Sequence, residues 1–203
     1  LAGHRELFGL AAVIFLSFLA HEVLPSTFVL YAGYRYGWGA ATVGMTLAMV
    51  GICSGAVQGG LVGPAVRRFG ERKTLITGLL CGALGFAIYG LAPTGHLFWL
   101  GIPVMAIWGL ANPSMQGLMT KRVGPSEQGR LQGTLSSLRG IGGMLGPGLF
   151  TFTFATFIKD KQSWHLPGAP FLLAALLLFV SMTMATLVTR GHVHTPGAAP
   201  PHP

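Results

Sequence analysis

The chain has 203 residues, of which 51% are hydrophobic and only 9% charged, and glycine supplies 31 of them. That composition excludes an ordinary water-soluble globular domain and points to an integral membrane chain. A net charge of +8 would suit nucleic acid in a soluble protein, but the basic residues sit in short stretches between apolar runs, so they read as membrane-flanking and no nucleic-acid partner is expected.

Polar, proline and glycine punctuation cuts the sequence into six apolar runs, at about 7–31, 40–62, 74–92, 97–119, 131–158 and 167–188. Each is long enough for a helix rising ~1.5 Å per residue to cross ~30 Å of hydrocarbon, with tilt taking up the excess. Six crossings put both termini on one side. Arg5, Arg67, Arg68, Arg72, Lys73, Lys121, Arg122, Arg130 and Arg190 then fall on one face, and Arg35, Lys159 and Lys161 on the other. Nine against three predicts that both termini lie in the cytoplasm. Because the chain starts with Leu1 and has no signal-peptide n-region, it reads as a piece of something longer.

In the first run the adjacent pair His21 and Glu22 precedes Pro25, Ser26 and Thr27. An ionisable group at mid-span costs roughly 2.5 to 3.5 kcal/mol on insertion scales, so it is expected to face the protein interior or a wet cavity. Two readings of Glu22 stand side by side: a carboxylate that loads and unloads a proton, or a structural partner of Arg139 or of a residue in the missing first half. His21 either titrates with it or is a hydrogen-bonded core histidine. The link at 32–39 carries Tyr34, Tyr36 and Trp38, expected together with Trp164 as anchors at the outer interface. In the second run Ser54 and Gln58 stand at i and i+4, hence on one helix face.

The densest charge cluster follows, Gly63-Pro-Ala-Val-Arg-Arg-Phe-Gly-Glu-Arg-Lys73. Residues 43–62 before it carry no charge, and neither do 74–100 after it with His96 neutral. A short basic link between two bilayer-length runs predicts a cytoplasmic loop, with Gly63 and Gly70 permitting a tight turn. Arg67, Arg68, Arg72 and Lys73 are expected to point toward water and anionic headgroups. Cys53 and Cys81 lie in different runs without metal-type neighbours, so they read as small packing residues and no metal site is expected.

Asn112, Pro113 and Gln116 give the fourth run a polar stripe and a predicted kink, since Pro113 removes a backbone hydrogen bond. The fifth carries Gln132, Ser136 and Arg139 along one side, then a run of glycines around Pro147. Glycine plus proline within a span needs a helix that bends against its neighbours, so Gly143, Gly146 and Pro147 are expected as the bending point of a gating helix, with close packing as the plainer reading. Arg139 faces the interior or snorkels to an interface. The third and sixth runs hold no ionisable residue at mid-depth. The split predicts four helices around a cavity and two supporting them from outside. The candidate residues for a substrate or proton pathway are His21, Glu22, Ser54, Gln58, Asn112, Gln116, Ser136 and Arg139. Residues 191–203 are too rich in Pro and Gly to pack and read as a disordered cytoplasmic tail, its three histidines solvated.

The spacing within Gly63 to Lys73 resembles the Gly-x-x-x-Asp-Arg-x-Gly-Arg-Arg loop of the major facilitator superfamily, found between helices 2 and 3 and, in weaker form, between helices 8 and 9. Arg67 stands where the first-half version has Asp, which favours the second-half copy. Tyr-Arg-Tyr-Gly-Trp38 followed by Val43-Gly44, Pro-Ser-Met-Gln-Gly117, and Glu-Gln-Gly-Arg-Leu-Gln-Gly133 leading to Gly-Pro147-Gly-Leu-Phe-Thr151 extend the likeness. Together they resemble the C-terminal half, helices 7 to 12, of the tetracycline-efflux branch of drug:proton antiporters, over nearly the whole chain up to Arg190. The resemblance implies an all-α membrane protein in which residues 1–190 form six transmembrane helices, one half of a twelve-helix bundle. It also implies alternating access to a central site and exchange of an inward proton for an outward drug. Two departures stand out. Ser54 replaces a family histidine four residues before the matching glutamine, and Gly82 aligns with a family aspartate, both positions associated with proton coupling. Glu22, aligned with a family glutamine, is the candidate to take over part of that role.

The resemblance therefore implies proton-coupled efflux of drug-like small molecules, tetracycline-like or multidrug, across the bacterial inner membrane. No cofactor is expected beyond the proton gradient. The expected partners are the solute, protons, the lipid bilayer and the missing N-terminal six-helix half. Two alternatives remain: proton-coupled transport of a sugar or organic acid, with Arg139 favouring an anionic solute and Glu22 a cationic one, or a non-transporting half fragment. A membrane-embedded enzyme would need a nucleophile with its base or a metal cluster, and the lone His21-Glu22 pair is not the two-histidine motif of zinc proteases, so no enzyme is expected.

Overall fold

The structure, a computed structural model, describes residues 2–159 and 166–189. Lys161, Trp164, Arg190 and the tail at 191–203 lie outside the described residues. Helices α1 (Ala2–His21) and α2 (Val23–Tyr36) make the first span. The second and third are α3 (Ala40–Ala56), a widened π turn at Val57–Leu61, and α4 (Val62–Leu91). Helices α5 (Gly95–Ala106) and α6 (Ala111–Thr120), joined by a tighter 3-10 stretch at Ile107–Leu110, make the fourth; α7 (Gln128–Phe157) is the fifth and α8 (Ala169–Val188) the sixth.

Leu7–Tyr36, Ala40–Leu91, Gly95–Thr120 and Ala169–Val188 are each long and apolar enough to cross a membrane. Ala40–Leu91 has 52 residues, about twice what ~30 Å of hydrocarbon requires at ~1.5 Å per residue. It reverses at Gly70, whose backbone (φ 76°, ψ 161°) lies in a region that a side chain makes costly. The basic stretch is therefore not the loop the sequence suggests. Helix continues through Gly63 to Phe69, Glu71 starts the third span, and Gly70 alone makes the turn. Gly63 is helical and takes no part in it. Arg67, Arg68 and Lys73 are exposed, whereas Arg72 is half-buried and its Nε donates to Thr189 Oγ1 at 2.9 Å.

The outer link after the first span is likewise shorter than expected. Helix runs to Tyr36 and is closed by Gly37 (φ 67°), whose N–H bonds Gly33 O at 3.0 Å while Trp38 N–H reaches Ala32 O at 3.3 Å. Tyr36 and Trp38 are then more than interfacial anchors. Tyr36 OH donates to Ala92 O at 2.9 Å, and Tyr31 OH, fully buried, donates to Tyr89 O at 2.8 Å. Tyr89 stacks on Phe98 with centroids 4.0 Å apart, and Trp99 Nε1 donates to Thr46 Oγ1 at 3.0 Å. This aromatic end ties the first four spans together.

Three spans break one turn before a proline, where the missing N–H and the ring disturb the carbonyl four residues back. Pro25 disturbs His21 and separates α1 from α2 at Glu22, where Glu22 N–H tightens onto Leu19 O at 3.1 Å. Pro64 disturbs Gly60, inside the π turn, and Pro113 disturbs Gly109, inside the 3-10 stretch. By contrast α7 runs as uninterrupted helix from Gln128 to Phe157 with Gly143, Gly146 and Pro147, the expected bending point, inside it.

Contacts fix the direction of each span. Gly9 meets Val188 and Ser17 meets Ser181, so the first and sixth spans are antiparallel. Gly142 lies against Phe18 and Tyr34 against Phe154, so the first and fifth are parallel. Gly78 meets Ala111 and Gly85 meets Met105, making the third and fourth antiparallel. Gln58 meets Gly109 and Thr46 meets Trp99, making the second and fourth parallel. Successive spans thus alternate, and both ends of the described chain lie at one end of the bundle together with the Gly70 turn. The core runs along α1, α4 and α8 through Leu10, Ile14, Leu79, Phe86, Phe171 and Leu178.

Candidate functional site

The three broken spans meet at one depth, and a cavity of about 520 Å³ opens there. The first span contributes Ser17, Phe18, His21 and Glu22, and the second contributes Ser54 and Gln58. From the fourth come Trp108, Gly109 and Asn112, and from α7 comes Arg139. The third span offers Tyr89 and α8 offers nothing. Irregular backbone at membrane depth is tolerated where it lines such a space, because freed peptide groups can be satisfied by water or polar side chains.

Glu22 is half-buried, and its side chain packs onto Gly146 of α7, where an added Cβ would collide with it. The Glu22 carbonyl accepts Ser26 N–H at 3.2 Å and also the Ser26 hydroxyl. Arg139 lies over the Phe18 ring, 4.5 Å from its centroid. His21 faces Trp108 at 5.7 Å between ring centroids and is within electrostatic reach of both Glu22 and Arg139. Glu22 and Arg139 form no ion pair within 4.0 Å. The Arg139 guanidinium, over the Phe18 ring, stays beside the cavity.

A second cavity of about 110 Å³ adjoins the first and is lined by Gln116, Gln132 and Ser136 together with Phe18, Asn112 and Arg139, which line both. The structure therefore places His21, Glu22, Ser54 and Gln58 on the larger space, Gln116 and Ser136 on the smaller, and Asn112 and Arg139 at their junction. Gly143 faces open space, and Pro147 lines neither cavity.

The basic residues of the Gly70 turn lie apart, at the end of the bundle. Beside Arg72 and Thr189, Lys121 Nζ pairs with Glu71 Oε1 at 3.1 Å, and Glu71 packs onto Gly117. These contacts join the third span to the fourth and sixth. Sequence reasoning missed Ser17, Phe18, Tyr89 and Trp108. Ser17 stands four residues before His21, on the same helix face, a signal that was available; its hydroxyl is 3.4 Å from that of Ser181, which donates to Val13 O at 3.0 Å. Aromatic residues carry no such signal, because lipid-facing aromatics look the same in a sequence. At Gly82, aligned with a family aspartate, an added Cβ would lie 2.7 Å from Trp108 Cγ and 2.8 Å from Leu178 Cδ1, so no carboxylate fits there without displacing one of them.

The profile of the Major Facilitator Superfamily matches residues 10–203. The class C tetracycline resistance protein of Escherichia coli is 30% identical over 176 residues, covering 85% of this chain and 42% of that protein. The class H tetracycline resistance protein of Pasteurella multocida is 32% identical over 182 residues, covering 87% of this chain and 44% of its own length. Among solved structures, the human organic anion transporter MFSD10 (TETRAN) superposes with a TM-score of 0.75 at 19% identity, over 89% of this chain and 41% of that one. The chain spans less than half the length of these relatives. With six alternating spans and a matching family profile over nearly its whole length, this chain belongs to the Major Facilitator Superfamily and has the fold of one six-helix half of such a protein.

Proposed function

We propose that the chain supplies one half of an alternating-access pathway for proton-coupled efflux of drug-like small molecules, tetracycline-like or multidrug, across the bacterial inner membrane. The observation that carries this reading is the cavity of about 520 Å³ at the level where three spans break, edged by one carboxylate and one guanidinium. That volume lies in the range that small-molecule sites occupy. The relatives named for tetracycline resistance support the choice of solute class. The basic residues gathered at the Gly70 end orient that end, and both termini, toward the cytoplasm. A second six-helix unit, the missing half, closes the open side of the cavity.

In this reading Glu22 carries the proton. Among the described residues it has no cationic partner within 4.0 Å, and it borders the cavity, so it can exchange protons with water entering from either side. Its packing on Gly146 couples its charge to the seating of α7 against the first span. At the cytoplasmic end, Glu71 with Lys121 and Arg72 with Thr189 hold the third, fourth and sixth spans together, contacts that must persist or break as the access alternates.

The test uses everted membrane vesicles from cells expressing the complete gene that encodes this chain. Energised vesicles should accumulate tetracycline, an uncoupler should stop it, and Glu22→Gln should abolish it while leaving the amount of inserted protein unchanged. Accumulation that survives both the uncoupler and Glu22→Gln would sink the proposal.

A further inference from the structure

We infer that the smaller cavity is a subsite for the oxyanion head of an amphipathic organic anion whose apolar body occupies the larger one. The inference rests on the transport reading above and gives the solute a charge and an orientation. Size comes first. The space is about 110 Å³, and a water claims about 30 Å³ of liquid volume, so it admits a carboxylate-sized group with a water or two and not a whole drug.

Chemistry comes second. Asn112, Gln116 and Gln132 bring side-chain amides, Ser136 a hydroxyl and Arg139 a guanidinium, and no carboxylate lines this space. Arg139 can only donate, and the amides and hydroxyl can each turn a donor inward. Among the described residues its charge has no ion-pair partner within 4.0 Å, and it lies over the Phe18 ring face. A cation over a ring is held less firmly than one in a bidentate pair with an oxyanion, so an incoming carboxylate can draw the guanidinium off the ring.

Placement comes third. Because Phe18, Asn112 and Arg139 border both cavities, one solute can lie across the junction. The larger side presents Trp108, Tyr89, Met105 and Met115 to an apolar body. Its carboxylate, Glu22, repels an anionic head and so favours the orientation that sends that head toward Arg139.

The probes are 1-naphthoate and its neutral counterpart 1-naphthamide, titrated calorimetrically at neutral pH against the product of the complete gene that encodes this chain, held in lipid nanodiscs. Naphthoate should bind at least about tenfold more tightly than naphthamide, the ratio expected of one charge-assisted hydrogen bond. Arg139→Gln should erase that preference while naphthamide binding persists, which also shows that the variant is folded. Gln132→Leu, at an exposed position, should weaken naphthoate several-fold and leave naphthamide unchanged. Equal binding of the two probes to the wild type, or a preference that survives Arg139→Gln, would overturn the subsite alone. Binding of neither probe would overturn it together with the larger cavity's role as a solute site.

Discussion

Three glycines of the third span and one set on the second and fifth spans are used in opposite ways, although Gly142 and Gly146 of the fifth also make contacts. Along the third, a Cβ added at Gly78, Gly82 or Gly85 would lie 2.8 Å from Ala111 N, 2.7 Å from Trp108 Cγ and 2.9 Å from Met105 Cα. Along the second and fifth, a Cβ at Gly51, Gly55, Gly59, Gly133, Gly140 or Gly143 would meet nothing within 4 Å. One set of glycines lets backbones approach; the other leaves a smooth uncovered face on either side of the cavity. Glycine content alone does not distinguish these uses, and only the contact partners do.

Substitution can break that comparison, and the effects should fall in a definite order. Gly82→Asp should be the most damaging, because it overfills the contact with Trp108 and Leu178 and places a carboxylate at membrane depth, together costing at least about 3 kcal/mol. The thermal midpoint of the purified chain in detergent reads it. Gly70→Ala should come next, at about 1 to 3 kcal/mol, since the turn's φ of 76° with ψ of 161° suits only glycine even though open space surrounds it. Gly140→Ala should shift the midpoint least and upward, by the ~1 kcal/mol that alanine gains over glycine in a helix. If Gly140→Ala proved as harmful as Gly82→Asp, the two faces would not differ as described.

Much of the fold was legible because lipid is an unforgiving solvent. Apolar runs of bilayer length announced the spans, and polar side chains at i and i+4 marked the faces that avoid hydrocarbon. What the sequence misplaced were the ends. Gly63 to Phe69 looks like a loop by charge, yet long basic side chains can stand on a helix that projects past the membrane, so charge did not mark where helix stops. Pro147 sits inside an uninterrupted helix, whereas Pro25, Pro64 and Pro113 each disturb the turn before them. The polar wall of the candidate site could be read residue by residue. Its aromatic wall, Phe18, Tyr89 and Trp108, could not, because an aromatic facing lipid and one facing a cavity obey the same sequence pattern.

Thiol accessibility in native membranes tests the central claim most directly, namely that the first, second, fourth and fifth spans turn their polar side chains to a water-filled route. With Cys53 and Cys81 replaced by alanine, single cysteines at Ser54, Asn112 and Ser136 should react with a water-soluble maleimide. Cysteines at Leu84 and Leu176, which are 50% and 57% exposed on the third and sixth spans, should stay unreactive in acyl chains. Labelling of Leu84→Cys and Leu176→Cys with silence at the other three would contradict the account.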